Sequence, residues 1–204
     1  MSDTAIAILA AGGSGRMGRP KQLLRFAGTT LLRSTVQAAA DSGCSACVVV
    51  LGARAEAMRP ELAGLSVEAV INDDWARGIG TSIRRGIAHL AAHPNPPRAV
   101  MLMLADQPLV TGEVLRRLLA AHGAGDKPVT VSTYAGTLGP PVIVNAEYFP
   151  ALLDLPDAAG AKMIWTSRPE IVHHEPCPEA ELDVDTPADY ERALTYFAQS
   201  FGVP

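Results

Sequence analysis

Four short, almost wholly apolar runs, separated by helical patterns, constrain the fold of this chain more than any other feature. The runs cover residues 5–10, 46–51, 67–71 and 99–104, and the helical patterns between and after them cover residues 30–40, 55–62, 81–92 and 111–122. An apolar run without polar alternation indicates a strand that is buried on both faces, as in parallel sheets with helices on either side. We therefore predict an α/β fold with three α/β/α layers around a Rossmann-like, mainly parallel sheet.

The remainder of the chain is less regular. We predict a strand at 129–134, a turn at 136–141, a short strand at 142–144, helical segments at 146–153 and 160–166, and a strand at 171–174. The last helix is predicted to begin at Thr186 and Pro187, since Thr is a good cap and Pro suits the first helical position. With no repeat or linker, the 204 residues are expected to form one domain, residues 1–204.

A glycine-rich, cationic loop follows the first apolar run. It contains four glycines in seven residues and three cations: Gly12, Gly13, Gly15, Gly18, Arg16, Arg19 and Lys21. Glycines let a backbone wrap closely around a ligand, and the cations indicate a polyanion, most simply a phosphate chain. An ordinary strand-to-helix turn is the alternative interpretation, but such turns are usually short.

The loop also imitates two other nucleotide motifs. Gly13, Gly15 and Gly18 have the spacing of a dinucleotide fingerprint, but Pro20 interrupts the loop, and no acidic residue follows the second strand to bind a ribose. The P-loop pattern fails as well, because Arg19 and Pro20 stand where Lys and Ser or Thr are required. The loop therefore favours a nucleoside triphosphate over a dinucleotide.

Polar residues follow the ends of three predicted strands: the glycine loop, the segment 72–75 and the segment 106–108. Ligands of open α/β sheets bind at the carboxyl ends of the strands, so we expect these segments to converge on one crevice. Asp106 follows a fully apolar strand, where a buried carboxylate needs a partner, either a helix-capping contact or a divalent cation. Asp183 and Asp185 would point to the same side of an extended segment, which suits a metal ion or its waters.

Three segments, read together, resemble one known family. These are Leu-Ala-Ala-Gly-Gly-Ser-Gly-Arg-Met-Gly-x-Pro-Lys at 9–21, Trp-Ala-x-Gly-x-x-x-Ser at 75–82 and Ala-Asp-Gln-Pro at 105–108. They resemble the MobA-like NTP transferase family, and the Ala-Ala-Gly form is most similar to its molybdenum cofactor cytidylyltransferases (MocA-type). The resemblance implies a sheet of the nucleotide-diphospho-sugar transferase type, with a nucleotide-binding half at about 1–110 and an acceptor-binding half at about 111–204.

The same resemblance implies roles for individual residues. The implied catalytic residues are Arg16, Lys21 and Asp106. The implied nucleotide contacts are Leu9, Ala10, Ala11, Gly12, Gly13, Ser14, Gly15, Arg16, Lys21, Asn72, Gly80, Ser82 and Asp106. The implied Mg²⁺ ligands are Asp106 and then Asp185, ranked above Asp183. The implied acceptor contacts are Gln107, Pro141 and Lys162.

The implied reaction is Mg²⁺-dependent transfer of a nucleoside monophosphate, CMP from CTP, to a phosphorylated acceptor, with release of pyrophosphate. A phosphate nucleophile is already anionic, so catalysis needs alignment and charge neutralisation rather than a general base. Molybdopterin is the implied acceptor, and a molybdoenzyme or its maturation chaperone is a further implied partner.

The acceptor half departs from the resemblance. The cytidylyltransferases commonly read Gly-His-Pro, where this chain has Gly139-Pro140-Pro141. They then read Gly-Asp-x-Gly-Ala-Arg, where this chain has its acid one position early, at Asp157, and Lys162 instead of Arg. Two alternatives therefore stay open: the same chemistry on a sugar phosphate or other cofactor precursor, and a non-catalytic nucleotide-binding regulatory module.

Composition limits the partners further. A net charge of −4 does not favour a nucleic-acid binder, and no stretch approaches the roughly 18 apolar residues of a membrane span. Three cysteines do not make a disulfide framework, and Cys44 and Cys47 are expected to be small buried residues rather than a metal pair. With no secretory signal visible, we expect a cytoplasmic protein.

Overall fold

The computed structural model describes residues 3–166 and 168–201. The rest of the predicted domain 1–204, residues 1, 2, 167 and 202–204, lies outside the described residues. The strands are β1 (Thr4–Leu9), β2 (Arg25–Phe26), β3 (Thr29–Thr30), β4 (Cys47–Leu51), β5 (Glu68–Ile71), β6 (Ala99–Leu104), β7 (Val129–Tyr134), β8 (Thr137–Asn145) and β9 (Val172–Pro176). The α-helices are α1 (Leu31–Asp41), α2 (Ala55–Met58), α3 (Ile79–Ala91), α4 (Gly112–Ala124), α5 (Phe149–Leu153), α6 (Met163–Thr166) and α7 (Pro187–Phe201).

Seven strands form one sheet in the order β5-β4-β1-β6-β8-β7-β9. The four predicted apolar strands, β1, β4, β5 and β6, pair in parallel with one another, which confirms that prediction. The strand β8 runs antiparallel to both β6 and β7, and β9 runs parallel to β7. The sheet is therefore mainly parallel, with β8 as its reversed strand.

Alternate residues of each strand enter two separate cores. In β1, Ile6 and Ile8 pack with α1 and α4 on one face, whereas Ala5 and Ala7 pack with α3 and α5 on the other. Because both faces are covered, a continuous apolar strand pattern is what the fold needs. This arrangement confirms the three predicted layers.

The predicted turn at residues 136–141 is wrong. The chain reverses earlier, at Ala135 (φ 46°) and Gly136 (φ 72°), so Thr137 already pairs with Tyr134 in the β7–β8 ladder. Such two-residue turns need positive φ at both central positions. Prolines in β8 hid the strand from sequence reasoning, but the ladder shifts register between Val131 and Ser132 to accommodate the irregular segment.

The last helix packs over a small hairpin that sequence reasoning missed. β2 and β3 pair antiparallel, and Phe26 in this hairpin contacts Phe197 of α7 edge to face, with ring centroids 5.0 Å apart. The predicted cap of α7 is confirmed, because Thr186 Oγ1 accepts from the backbone N–H of Asp189 (3.3 Å) and Asp189 Oδ2 accepts from the backbone N–H of Thr186 (2.9 Å). Leu182 and Val184, which precede α7, lie in the same buried cluster as Met17 of the glycine loop.

Within the described residues, none of the helices combines the length and apolar character that crossing a membrane requires.

Candidate active site

The predicted crevice forms at the carboxyl ends of β1 and β6. A cavity of about 320 Å³ is lined there by Leu9, Ala11, Gly12, Lys21, Gln22, Trp75, Ile79, Ser82, Leu104, Ala105, Asp106, Asp183 and Asp185. The three polar segments at strand ends therefore converge as expected, and the extended segment at 183–185 joins them. The backbone N–H of Val184 donates to the carbonyl of Asp106 (2.9 Å), which fixes this segment beside β6.

A cluster of opposite charges lies at the mouth of the cavity. Lys21 Nζ donates to Asp106 Oδ2, and it contacts Asp185 Oδ1 at 2.7 Å. Arg16 Nη2 contacts Asp185 Oδ2 at 2.7 Å, with most of the Arg16 side chain exposed. Burial alone would lower the pKa of Lys21, but the carboxylates of Asp106 and Asp185 outweigh it and raise the pKa, so Lys21 stays charged.

Asp185 responds in the opposite direction. Burial would raise the pKa of Asp185, but hydrogen bonds and attraction from Lys21 and Arg16 hold it below the usual value. The three catalytic residues implied by the resemblance, Arg16, Lys21 and Asp106, thus lie in one network of ion pairs with Asp185.

Two buried carboxylate oxygens at this site lack a hydrogen-bond partner. Among the described residues, neither Asp106 Oδ1 nor Asp183 Oδ1 is paired. Burial and then the nearby charge of Asp106 raise the pKa of Asp183 from 3.8 to about 6. Unpaired buried oxygens are costly, and a divalent cation that prefers oxygen ligands would satisfy both.

No ready-made metal site of three or more His, Cys, Asp or Glu side chains is found in the part of the chain that the structure describes. The ammonium group of Lys21 contacts the carboxylates of both Asp106 and Asp185. The donor set of Asp106, Asp183 and Asp185 nevertheless fits a cation such as Mg²⁺, which needs only a few carboxylates beside phosphate oxygens.

A buried glutamine braces the glycine loop, and sequence reasoning missed it. Gln22 Nε2 donates to the carbonyls of Ala10 (3.1 Å) and Gly12 (3.0 Å), and Gln22 Oε1 accepts from Ser14 Oγ (3.1 Å). Ser14 Oγ also accepts from the backbone N–H of Lys21 (3.1 Å). The only indication of this role in the sequence was that Gln22, a polar residue, directly follows Pro20 and Lys21.

The loop glycines are not equivalent. In the described part of the chain, no atom lies within 4 Å of where a Cβ would stand at Gly12 or Gly15, so protein packing does not explain these two glycines. At Gly13 a Cβ would approach the ring of Trp75 to 3.1 Å, so this glycine makes room for the indole. The open positions at Gly12 and Gly15 are available to a ligand.

The segment 72–82 forms an internal network beside the cavity. Asn72 is buried, and its Nδ2 donates to Thr81 Oγ1 (2.8 Å) and Ser82 Oγ (2.9 Å). Asn72 Oδ1 accepts from the backbone N–H of Asp74 (3.1 Å). The structure thus places Asn72 as a support of the first turn of α3, while Ser82 lines the cavity. Nucleotide contact at Asn72 stays a prediction.

Gly80 meets protein instead of open space. A Cβ at Gly80 would lie 2.1 Å from the carbonyl oxygen of Pro156, and the Gly80 N–H donates to the carbonyl of Asp157 (2.8 Å). The close contact with residues 156–159 explains why position 80 has no side chain. Its role in nucleotide binding stays a prediction.

Two arginines, Arg77 and Arg84, bind the loop that contains Asp157. No contiguous sequence motif predicted these contacts. Arg84 Nη2 contacts Asp157 Oδ1 at 2.5 Å, and Arg77 Nη2 contacts Asp157 Oδ2 at 2.6 Å. Hydrogen bonds from Arg84 lower the pKa of Asp157 and outweigh the opposing effect of desolvation. We call residues 155–159 the clamped loop. The early position of the acid, noted in the sequence, places Asp157 within reach of both arginines.

Two of the three predicted acceptor residues, Gln107 and Pro141, make contacts within the protein, and their contact with an acceptor stays a prediction. Gln107 is buried, and its Nε2 donates to the carbonyls of Pro140 (3.1 Å) and Ala180 (2.9 Å). Pro141 is also buried, and its carbonyl accepts from Ser132 Oγ (2.6 Å). Pro140 rather than Pro141 faces a cavity, together with Lys162.

That second cavity has a volume of about 220 Å³ and adjoins the first, because Leu9, Ile79 and Leu104 line both. Its remaining lining residues are Ile83, Leu102, Met103, Leu138, Gly139, Pro140, Val142, Gly160, Ala161, Lys162 and Trp165. We call the first the charged cavity and the second the apolar cavity.

Residues 6–172 match the family model of the MobA-like NTP transferase domain. Nicotine blue oxidoreductase from Paenarthrobacter nicotinovorans is 31% identical over 198 residues, which cover 92% of this chain and 94% of that protein.

Among solved structures, Rv0371c from Mycobacterium tuberculosis H37Rv is 34% identical with a TM-score of 0.80, covering 95% of this chain and 98% of that one. A complex of Rv0371C with manganese superposes with a TM-score of 0.75 at 31% identity, over 94% and 98% of the two chains. A nucleotidyl transferase from Methanothermobacter gives a TM-score of 0.80 at 26% identity, over 97% and 98%. The predicted nucleotide-diphospho-sugar transferase type of sheet is confirmed.

Proposed function

This chain belongs to the MobA-like NTP transferase family, and from that premise we propose that it is a nucleotidyltransferase that uses a divalent metal, Mg²⁺ by preference, to transfer a nucleoside monophosphate to a phosphorylated acceptor. CTP is the proposed donor and molybdopterin the acceptor that the sequence resemblance favours. The observation that carries the proposal is the meeting of Lys21, Asp106, Asp183 and Asp185 with an open glycine loop at one sheet edge.

The chemistry follows from these groups. An oxygen of the acceptor phosphate attacks the α-phosphorus of the triphosphate, a new P–O–P bond forms, and the bond to the β-phosphate breaks as pyrophosphate leaves. The acceptor is already anionic, so no proton has to be removed, and the site has to align two anions and neutralise their charge.

Several groups of the site contribute to aligning the two anions and neutralising their charge. The open positions at Gly12 and Gly15 let the backbone approach the phosphate chain. Arg16 and Lys21 supply positive charge, and the hydrogen bonds of Gln22 hold the loop in shape before ligand arrives. Asp106 and Asp183, with Asp185, would hold the cation, which supplies Lewis-acid neutralisation of phosphate charge when bound.

Support for a divalent cation comes from two directions. The unpaired oxygens of Asp106 and Asp183 need a positive partner, and a relative with 31% identity has been crystallised as a complex with manganese.

We expect a cytoplasmic location because Cys44, Cys47 and Cys177 are free thiols, the form that a reducing compartment maintains.

The decisive experiment measures pyrophosphate release from each of four nucleoside triphosphates with Mg²⁺ and a panel of phosphorylated acceptors. Asp106→Asn should reduce the rate by ~10³-fold, the scale seen when charge stabilisation of a transition state is lost. Asp126→Asn is the matched control, because Asp126 is exposed and lies outside the cavity. Nucleotide binding without pyrophosphate release from any acceptor would instead support a regulatory module.

A second function has one specific observation in its favour, the 31% identity to a protein named nicotine blue oxidoreductase. This chain lacks the ribose-binding acid of a dinucleotide site, since Gly52 and Ala53 follow β4. Consumption of NADH or NADPH with aromatic electron acceptors tests this reading directly. Turnover there, unchanged in Asp106→Asn, would replace the transferase proposal.

A further inference from the structure

Lys21 contacts two of the carboxylates that the proposed metal ion would need. Its Nζ donates to Asp106 Oδ2 and lies 2.7 Å from Asp185 Oδ1. Mg²⁺ lies about 2.1 Å from its oxygen ligands, so a metal ion bonded to Asp185 Oδ1 would come within roughly 5 Å of this ammonium group. Two positive charges at such a distance repel each other strongly away from bulk water. The ammonium group and the metal ion therefore compete for the same carboxylates.

Burial makes this competition effective. Only 16% of the Lys21 side chain and 11% of the Asp106 side chain are exposed, so solvent screens their charges poorly. Asp106 Oδ1 and Asp183 Oδ1 nevertheless have no hydrogen-bond partner among the described residues. The carboxylates thus still attract a cation, while an ammonium group already contacts two of them.

The side chain of Lys21 can change partners while its backbone stays in place. The backbone N–H of Lys21 donates to Ser14 Oγ (3.1 Å), and Gln22 binds both Ser14 Oγ and the carbonyl of Gly12. The Lys21 side chain is long and unbranched, and it lines the charged cavity together with Gly12. A triphosphate on the open glycine loop would bring a chain of negatively charged oxygens within its reach, and lysine binds phosphate well as a point charge.

Resting on the proposed transferase function, we propose that Lys21 is an internal counterion that blocks the metal-binding carboxylates until a nucleoside triphosphate draws its ammonium group away. The exchange replaces the ion pairs of Lys21 with Asp106 and Asp185 by an ion pair with phosphate, and no covalent bond forms or breaks. The free protein then binds a divalent cation weakly. Nucleotide and cation strengthen each other's binding, because coupling between two ligands is reciprocal.

Binding of Mn²⁺ to the full chain without nucleotide, followed by the electron paramagnetic resonance signal of free Mn²⁺, tests the proposal. Lys21→Met keeps a long unbranched side chain but removes its charge, so it should bind Mn²⁺ at least ~10-fold more tightly than the parent protein. Equal Mn²⁺ affinity of the parent protein and Lys21→Met would overturn the proposal.

Lys162→Met is the matched control for the loss of a positive charge near the site. Lys162 is exposed and lines the adjoining apolar cavity. Solvent screens an exposed charge, so the Mn²⁺ affinity of this variant should differ from that of the parent protein by less than about 2-fold. An increase as large as that in Lys21→Met would show a general effect of charge and contradict the specific role of Lys21.

Nitrogen NMR of the lysine ammonium groups tests the exchange in the unmodified protein, and it keeps the proposal testable if Lys21→Met fails to fold. The chain has three lysines, Lys21, Lys127 and Lys162, so selective ¹⁵N labelling gives a simple spectrum. With a chelator present, non-hydrolysable analogues of the four nucleoside triphosphates are added in turn. At least one should shift the Lys21 Nζ signal and leave that of Lys127 in place. A Lys21 signal that none of the analogues moves would contradict the exchange.

Turnover separates failure of this inference from failure of the proposed function. Pyrophosphate release by the parent protein, with unchanged Mn²⁺ affinity in Lys21→Met, would refute the internal counterion while upholding the transferase. Tighter Mn²⁺ binding in Lys21→Met, without pyrophosphate release by the parent protein from any acceptor, would uphold the counterion and refute the transferase.

Discussion

The charged cavity and the apolar cavity adjoin one another but recognise ligands by different physics. The first contains Lys21 and three carboxylates around an open glycine loop. The second is lined mainly by aliphatic side chains. Charge neutralisation is strong and tolerant of the rest of a ligand, whereas an apolar wall discriminates by shape. The charged cavity therefore suits the phosphate chain of a ligand, and the apolar cavity suits an uncharged part of one.

The largest effect is expected when the ammonium group of Lys21 is removed from the charged cavity. Lys21→Ala should lower the rate of nucleotide transfer by ~10³-fold, because a positively charged group that neutralises the phosphates is lost. Pyrophosphate release measures this rate.

Lys127→Ala is the matched control for Lys21→Ala, since Lys127 lies outside both cavities and its replacement should leave transfer unchanged. An unchanged rate of transfer in Lys21→Ala would contradict the proposed role of this ammonium group.

The clamped loop packs against Gly80, the neighbour of Ile79, which lines both cavities, so a second prediction concerns Gly80. In Gly80→Ala the new Cβ would lie 2.1 Å from the carbonyl oxygen of Pro156. Overpacking of this kind costs about 1–3 kcal/mol, and we expect a corresponding loss in the free energy of unfolding, measured with urea. Gly123→Ala is the control, because no described atom lies within 4 Å of a Cβ there and alanine is the better helix former.

An unchanged stability in Gly80→Ala would mean that the clamped loop can move away from α3 without cost. In that case the contacts of Asp157 with Arg77 and Arg84 would not hold the loop in place.

The smallest expected effect concerns Asp183 and its pH dependence. Its folded pKa of about 6 lies above the usual 3.8, so the unfolded state binds fewer protons between these values and stability falls as pH rises through them. Asn does not titrate. Asp183→Asn should therefore match the parent protein below pH ~4 and gain about 1 kcal/mol above pH ~6, or roughly 2–4 °C in Tm.

Thermal melting in the presence of a chelator, at the two ends of this pH range, measures the effect of Asp183→Asn. Asp126→Asn, at an exposed position, is the control. A variant less stable than the parent at neutral pH would show that the ionised carboxylate of Asp183 has a partner that stabilises it.

The charged cavity, where the nucleoside triphosphate is proposed to bind, was largely predictable from the sequence. Strands buried on both faces leave a continuous apolar pattern, and each ligand segment follows its strand directly, so Lys21 and Asp106 can be recognised within short motifs. The convergence of the polar segments followed from the parallel order of the strands, which the sheet confirms. Roles of individual residues in binding stay predictions.

Contacts between distant parts of the chain could not be predicted in the same way. Asp157 meets Arg84 across 73 residues of chain, and Gln107 meets the carbonyl of Ala180 across the same separation. Contacts at this distance leave no local pattern of spacing or periodicity. The apolar cavity likewise combines Leu9 with Trp165, and only the folded chain shows that these residues face one space.

During synthesis on the ribosome, Asp183 and Asp185 emerge after the glycine loop and Asp106. Lys21 reaches Asp185 across 164 residues of chain, and the backbone of Val184 is bonded to that of Asp106. A nascent chain that has emerged only as far as residue 180 already carries the glycine loop and Asp106, but it lacks Asp183 and Asp185. Assembly of the full charge cluster is therefore a late event of translation, and a chain interrupted before this segment would be expected to hold nucleotide poorly and to transfer none.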